Sequence, residues 1–215
     1  MAAPPTGVCR RPRPDLRARV RTMLCLATVA VLAARSAAAG GTDIRGIVLI
    51  AGRPAANVVV WLEVPHASAG IQTDKVVLDQ RSLRFSPQVL AVRVGTAVEF
   101  PNNDRVFHNV FSFHHGKVFD LGLYPVGSSK VVHFDKPGVS RIFCNIHPNM
   151  AAYVFAVDSP YFAVSDAPPA FTLRSVPPAA YTYRAWRAGA TELSGTSTVT
   201  VSGAVPGRLV VEWAK

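Results

Sequence analysis

A cysteine, two histidines and a methionine stand at spacings that suit a single metal ion. Cys144, His147 and Met150 fall within Arg141-Ile142-Phe143-Cys144-Asn145-Ile146-His147-Pro148-Asn149-Met150. His108 lies upstream in Asn103-Asp104-Arg105-Val106-Phe107-His108-Asn109-Val110. A thiolate, two imidazoles and a thioether are the ligand set of a mononuclear blue-copper site. The sulfur donors favour Cu(I) and imidazole suits Cu(II), so the set holds both oxidation states. Zinc also accepts one cysteine and two histidines, although a thioether adds little to a zinc site. The plainer alternative is a small buried thiol beside unrelated histidines.

Three donors on one short loop can converge from a strand end, and His108 must then come from a neighbouring strand. Period-2 counting along Val139 to Cys144 puts Ser140, Ile142 and Cys144 on one face and Val139, Arg141 and Phe143 on the other. Arg141 is better placed towards solvent, which turns Cys144 inward.

The rest of the sequence supplies strands for such a site. Ile44 to Ile50, Asn57 to Val64, Val89 to Phe100, Val106 to Phe113, Lys130 to Phe134, Val139 to Cys144 and Ala152 to Val157 are rich in β-branched and aromatic residues. Phe171 to Val176, Tyr181 to Trp186, Thr196 to Val201 and Arg208 to Trp213 continue the pattern. Turn signals such as Val94-Gly95-Thr96, Pro101-Asn102-Asn103-Asp104 and Lys136-Pro137-Gly138 punctuate them. No segment after residue 40 keeps a helical apolar period over three turns, so the expected fold is all-β, built as sandwiches. Residues 72 to 158 form one strand-rich block with the cysteine and most histidines. The flanks, 42 to 64 and 160 to 215, form the other.

Met23 to Ala34 is an uncharged, mostly apolar run. It follows an arginine-rich stretch and precedes Ser36-Ala37-Ala38-Ala39-Gly40. This is the pattern of a cleaved signal peptide over residues 1 to 39, which predicts export to the periplasm or beyond. Cys9 and Cys25 would leave with it, and Cys144 would then have no disulfide partner. The chain carries a formal charge of +10, but sixteen basic and twelve acidic residues follow position 40, a balance of only +4. That is too mild for a nucleic-acid footprint. No later apolar run approaches the roughly 20 residues needed to span a bilayer. Neither a Ser/His/Asp arrangement nor a phosphate-cradling glycine loop is present, and the sequence does not read as an enzyme.

The remaining histidines point to less. His114-His115, before Gly116, is expected at a loop tip near the His108 end. His133 alternates with Val132 and Phe134 and is expected to face solvent, while His66 follows Pro65 in a linker. Trp61, Trp186 and Trp213 are expected in cores rather than on a glycan-binding platform.

Residues 80 to 158 resemble a small cupredoxin of the plastocyanin and amicyanin family. The Cys-x-x-His-x-x-Met spacing with a proline after the histidine is similar to the short ligand loop of amicyanin. His108-Asn109, the strand and turn from Val94 to Asp104, and Phe134-Asp135-Lys136-Pro137-Gly138 match other parts of that pattern. The resemblance implies a Greek-key sandwich with one type 1 copper held by His108, Cys144 and His147 in the equatorial plane and by Met150 as weak axial ligand. It also implies that Asn109 ties the ligand loops together by a hydrogen bond. The edge of His147 would be the electron port, with Pro148, Asn149 and Ala151 as its rim.

Arg45-Gly46-Ile47-Val48, Gly52 to Leu62 and Phe171 to Trp186 look like a carboxypeptidase-regulatory-like, transthyretin-type sandwich. Ala179 stands where that family usually has glycine, and Asp166-Ala167-Pro168-Pro169 departs from its usual Asp-Gly loop. The whole chain then resembles exported plastocyanin-like proteins often labelled methylamine-utilisation proteins, with the copper block inserted between the second and third strands of the flanking sandwich. The function implied is single-electron transfer with a protein such as a c-type cytochrome or a dehydrogenase. Copper holding or delivery, and a non-redox binding sandwich with a vestigial site, are the alternatives.

Overall fold

The computed structural model describes residues 41–65, 72, 74–113, 115–166, 170–189, 193–200 and 207–213. The expected signal peptide, Cys9, Cys25, His66, His114, and Ala167 to Pro169 lie outside them. So does the side chain of Trp213. The fold is all-β, with no helix among the described residues. Among them, therefore, no helix is long and apolar enough to cross a membrane.

The first flank gives β1 (Thr42–Ile50), β2 (Arg53–Pro54) and β3 (Val58–Leu62). The central block begins with β4 (Val76–Val77), β5 (Asp79–Arg81), β6 (Arg84–Ser86), β7 (Val89–Arg93) and β8 (Thr96–Pro101). It continues with β9 (His108–Ser112), β10 (Phe119–Tyr124), β11 (Ser129–Phe134), β12 (Gly138–Phe143) and β13 (Ala151–Val157). The second flank supplies β14 (Phe162–Val164), β15 (Ala170–Val176), β16 (Ala180–Arg187), β17 (Leu193–Thr200) and β18 (Gly207–Trp213).

Central strands form two sheets, ordered β10-β9-β12-β13-β7 and β11-β8-β4, together with the hairpin β5-β6. Their inner faces follow the period-2 rule. Val98, Phe100, Val132, Phe134, Ile142, Ala152 and Val154 are buried in one cluster that also holds Cys144 and Met150. The outer face of β12 carries exposed Arg141, as its alternation predicts, while Ser140, Ile142 and Cys144 turn inward. Full burial of side chains such as Phe100 and Phe134 contributes about 1.5–3 kcal/mol each.

Flanking strands pair with one another in two further sheets, β15-β1-β18 and β14-β3-β16-β17, with β2 paired to β1. The pairing of β1 with β18 is parallel, with Ile44 opposite Gly207 and Val48 opposite Val211. Ile44, Val48, Val60, Leu62, Leu173 and Val211 fill the space between these sheets.

Two strands serve two cores at once. On β3, Val58, Val60 and Leu62 face the flanking core, while Val59 and Trp61 enter a third cluster. On β13, Ala152, Val154 and Ala156 face the central core, and Tyr153, Phe155 and Val157 enter that same third cluster. Trp186 joins them from β16, with ring centroids 5.4 Å from Tyr153 and 5.5 Å from Phe155. Trp61 meets Phe155 edge-on at 5.0 Å. Aromatic packing of this kind contributes about 0.5–1.5 kcal/mol per pair beyond area burial. Trp61 and Trp186 are thus packing residues at the junction of the two sandwiches.

Several elements differ from the sequence reading. The run Val89 to Phe100 is two strands, broken where Gly95 takes a φ of 91°. Strand β10 carries Asp120 and a Gly122 at φ 64°, and its pairing with β9 shifts register between Asp120 and Leu123. Its polar, irregular sequence hides it. His115 does not lie near His108 but beyond the opposite end of β9. Gly116 there packs so tightly on Val139 and Ser140 that an added Cβ would sit 2.6 Å from Ser140 Oγ. Lys117 N–H also donates to that hydroxyl, at 2.7 Å. His133 is exposed, as its alternation predicts.

Candidate metal centre

Strands β9 and β12 are antiparallel neighbours, with Phe111 opposite Phe143. His108 at the start of β9 and Cys144 just past the end of β12 therefore meet at one end of the sheet. The chain after Cys144 makes a tight turn in which Met150 N–H donates to His147 O at 2.9 Å. Pro148, the second residue of that turn, fixes φ near the value it requires. The turn holds His147 over the site and returns Met150 to the core, where it is 1% exposed.

The donor atoms converge. His108 Nδ1 and His147 Nδ1 are 3.1 Å apart, and Cys144 Sγ lies 3.9 Å from the first and 3.6 Å from the second. Two ligand atoms bound about 2.0–2.3 Å from one ion, at wide angles, are separated by about 3–4 Å. The three side chains fit a mononuclear ion without rearrangement. His108 and Cys144 are buried and His147 is half-buried. Met150 belongs to the same buried cluster as Cys144.

A further residue fixes the site. Asp104 Oδ2 lies 3.0 Å from His108 Nε2, the ring nitrogen facing away from Cys144. That contact places the imidazole proton on Nε2 and leaves Nδ1 as a lone-pair donor. The carboxylate is itself held: Leu83 N–H donates to Oδ2 at 2.7 Å and Arg105 N–H to Oδ1 at 2.8 Å. Burial would raise its pKa, but these backbone hydrogen bonds and His108 outweigh it and bring the pKa down to about 2. Asp104 is therefore charged at neutral pH.

Asn102 shapes the loop before His108. Its Oδ1 accepts from Asp104 N–H at 3.1 Å, and its Nδ2 donates to Val106 O at 2.9 Å and Tyr124 O at 3.2 Å. Behind it, buried Gln80 donates to Tyr124 Oη and to Pro101 O, and Tyr124 Oη donates to Phe100 O at 3.0 Å. Burial pushes the Tyr124 phenol up to about 12.

The expected residues His108, Cys144 and His147 thus come together, and Met150 packs in the same core. Asn109 is buried, but its Oδ1 has no hydrogen-bond partner. The two ligand loops meet through His108 and His147, whose Nδ1 atoms are 3.1 Å apart. Asp104 was legible only as a turn residue. Its position four residues before a ligand histidine was the available signal.

No family model matches the chain, and neither does any curated protein. Solved structures do. A purple cupredoxin from Nitrosopumilus maritimus is 26% identical over 39% of this chain and all of its own length, with a TM-score of 0.36. Amicyanin from Paracoccus versutus is 22% identical, with 48% of this chain and all of its own covered, at a TM-score of 0.37. A copper-containing nitrite reductase from Thermus scotoductus SA-01 is 25% identical over 45% of this chain, at a TM-score of 0.38. The chain spans about a quarter of that reductase.

Proposed function

We propose that this protein is an exported blue-copper electron carrier, with His108, Cys144 and His147 as equatorial ligands and Met150 as the weak axial donor. The observation that carries the reading is the convergence of two imidazole nitrogens and one thiol within 3.1–3.9 Å. A copper ion bound there supplies one-electron exchange between Cu(II) and Cu(I). The chain supplies the rest. Buried Cys144 and His108 keep water from the site, and Asp104 fixes the tautomer of His108. The Pro148 turn holds His147 at the surface, bordered by exposed Ile146, Pro148 and Asn149. Four protein donors, if Met150 joins the other three, would leave a bound ion no position for substrate, which suits electron transfer better than catalysis. The partner in this reading is a redox protein such as a c-type cytochrome or a dehydrogenase, met in the periplasm. The flanking sandwich, read as carboxypeptidase-regulatory-like, is a stabilising or docking module.

Titration with Cu(II) tests this. An intense thiolate-to-copper absorption band saturating at one equivalent, with narrow copper hyperfine splitting in EPR, is expected, and Cys144→Ser should abolish it. A Cys144→Ser protein that keeps the band, or a parent that binds only zinc, would overturn the assignment. The half-exposed edge of His147 also suits copper holding or delivery. Reversible voltammetry with fast self-exchange favours the carrier; ready loss of Cu(I) to a chelator favours delivery.

A further inference from the structure

The hairpin β5-β6 stands beside the ligand loop. Together they border a groove of about 680 Å³, lined among others by Arg81, Leu83, Arg84, Gln88, Asn149 and Ala151. Arg81 and Arg84 are directly opposite each other in the hairpin. Like charges facing across a strand pair are unfavourable, so the pair opposes the stability of the element it sits on. Asp79 offsets it in part, lying 3.4 Å from Arg81 while also accepting from Asn103 Nδ2. Arg84 has no ion pair among the described residues, and it is exposed together with Arg105 on the neighbouring loop. The one other carboxylate here, Asp104, is turned inward to His108. The ligand loop from Cys144 to Ala151 has no acidic or basic residue apart from His147.

The hairpin tip is unusual as well. Ser82 and Leu83 both have positive φ, 52° and 58°, in a two-residue turn that normally takes Asn-Gly. Leu83 is 48% exposed there and is pinned through its N–H to Asp104. Val106, Phe107 and Ile146 are likewise exposed around the site, at 41%, 55% and 45%. The outward face is thus apolar with arginines as its only exposed cations on the hairpin and the His108 loop, and its carboxylates are occupied within the structure.

We infer that the Arg81/Arg84 hairpin and the groove beside it form the docking surface for an acidic redox protein, whose carboxylates enter the groove while its apolar centre meets Leu83, Phe107 and Ile146. This rests on the electron-carrier reading above. Charge complementarity identifies the occupant: local arginines whose mutual repulsion is left largely unrelieved are relieved by a partner's carboxylates. Interfaces of this kind gain mainly in association rate, and the gain is screened by salt.

Two probes test the surface on the full chain. The redox-inert trianion hexacyanochromate(III) should broaden amide NMR signals of residues 81–88 and 149–151 in the metal-free protein. In Arg81→Glu/Arg84→Glu that broadening should vanish. In stopped flow at about 10 mM ionic strength, ferricyanide should oxidise the Cu(I) form about tenfold more slowly in the double variant than in the parent. The difference should collapse near 0.5 M salt, and the cation tris(phenanthroline)cobalt(III) should show no slowing. Arg81→Gln/Arg84→Gln repeats the test without new acids and should give an intermediate effect. Absence of the thiolate-to-copper band in the parent would refute the carrier reading itself. A normal band with unchanged broadening and equal ferricyanide rates would overturn the docking surface alone.

Discussion

The two sandwiches solve the same packing problem with different tolerance for buried polar groups. In the flanking one, Ser165 is fully buried and fully used: its Oγ accepts from Val58 N–H at 3.0 Å and donates to Ala55 O at 3.0 Å. In the central one, Gln80, Thr96, Asn102, His108, Asn109, Ser112 and Ser140 are buried, and Gln80 Oε1, Thr96 Oγ1, Asn109 Oδ1 and Ser112 Oγ lack partners. An unpaired buried polar atom costs about 1–3 kcal/mol. A fold selected only for stability would shed such groups; Asn109 adjoins His108, whereas Ser112 ends β9 and Thr96 begins β8, away from the ligand end. Among the described side chains, the flanking core is filled by apolar residues, while the central core also takes in Cys144 next to buried His108.

Three substitutions sharpen that contrast. The largest effect is expected at the junction. Trp186→Ala empties the space against Tyr153 and Phe155, and should cost about 3–5 kcal/mol. Calorimetry should show one unfolding transition becoming two, with the copper spectrum unchanged. A single transition in the variant would mean that the halves are coupled elsewhere. Asp104→Asn removes the charged acceptor of His108 Nε2. Copper affinity measured by chelator competition should fall 10- to 100-fold, while flanking-sandwich stability stays as it was. Tyr124→Phe should cost least, about 1 kcal/mol, by removing one hydrogen bond to Gln80 and one to Phe100 O. It should also change the alkaline limb. The folded phenol titrates at about 12 rather than 10, so its contribution is complete below pH 10 and lost as pH rises through 12. Denaturant titrations from pH 9 to 12 should show a shallower decline in the variant.

What could be read from the sequence was local. Ser140, Ile142 and Cys144 alternate inward because β12 is regular, and the Cys144, His147 and Met150 spacing sits on one turn closed by Pro148. The histidine on the neighbouring strand was accessible too, because metal chemistry demands a fourth donor. What stayed hidden depends on distant partners. The contact of Leu83 N–H with Asp104 joins residues that no periodicity connects, and the hairpin it anchors has polar strands of three residues each. Strand β10 was concealed by Asp120 and Gly122. The double duty of β3 and β13 looked like ordinary apolar runs, since alternation shows that two faces are buried but not against what.

The parallel pairing of β1 with β18 has a consequence for the order in which the chain matures. The central strands have all their partners once Val157 has been made. By contrast, β1 waits for β15 and then for residues 207–213. As the chain is completed, the central block can close early, while Val58-Val59-Val60-Trp61-Leu62 must wait for β14 and β16. That β-branched, aromatic run is the type of segment that associates between chains when left unpaired. The newborn protein is most vulnerable to aggregation in its flanking half, during the interval before the last strand arrives.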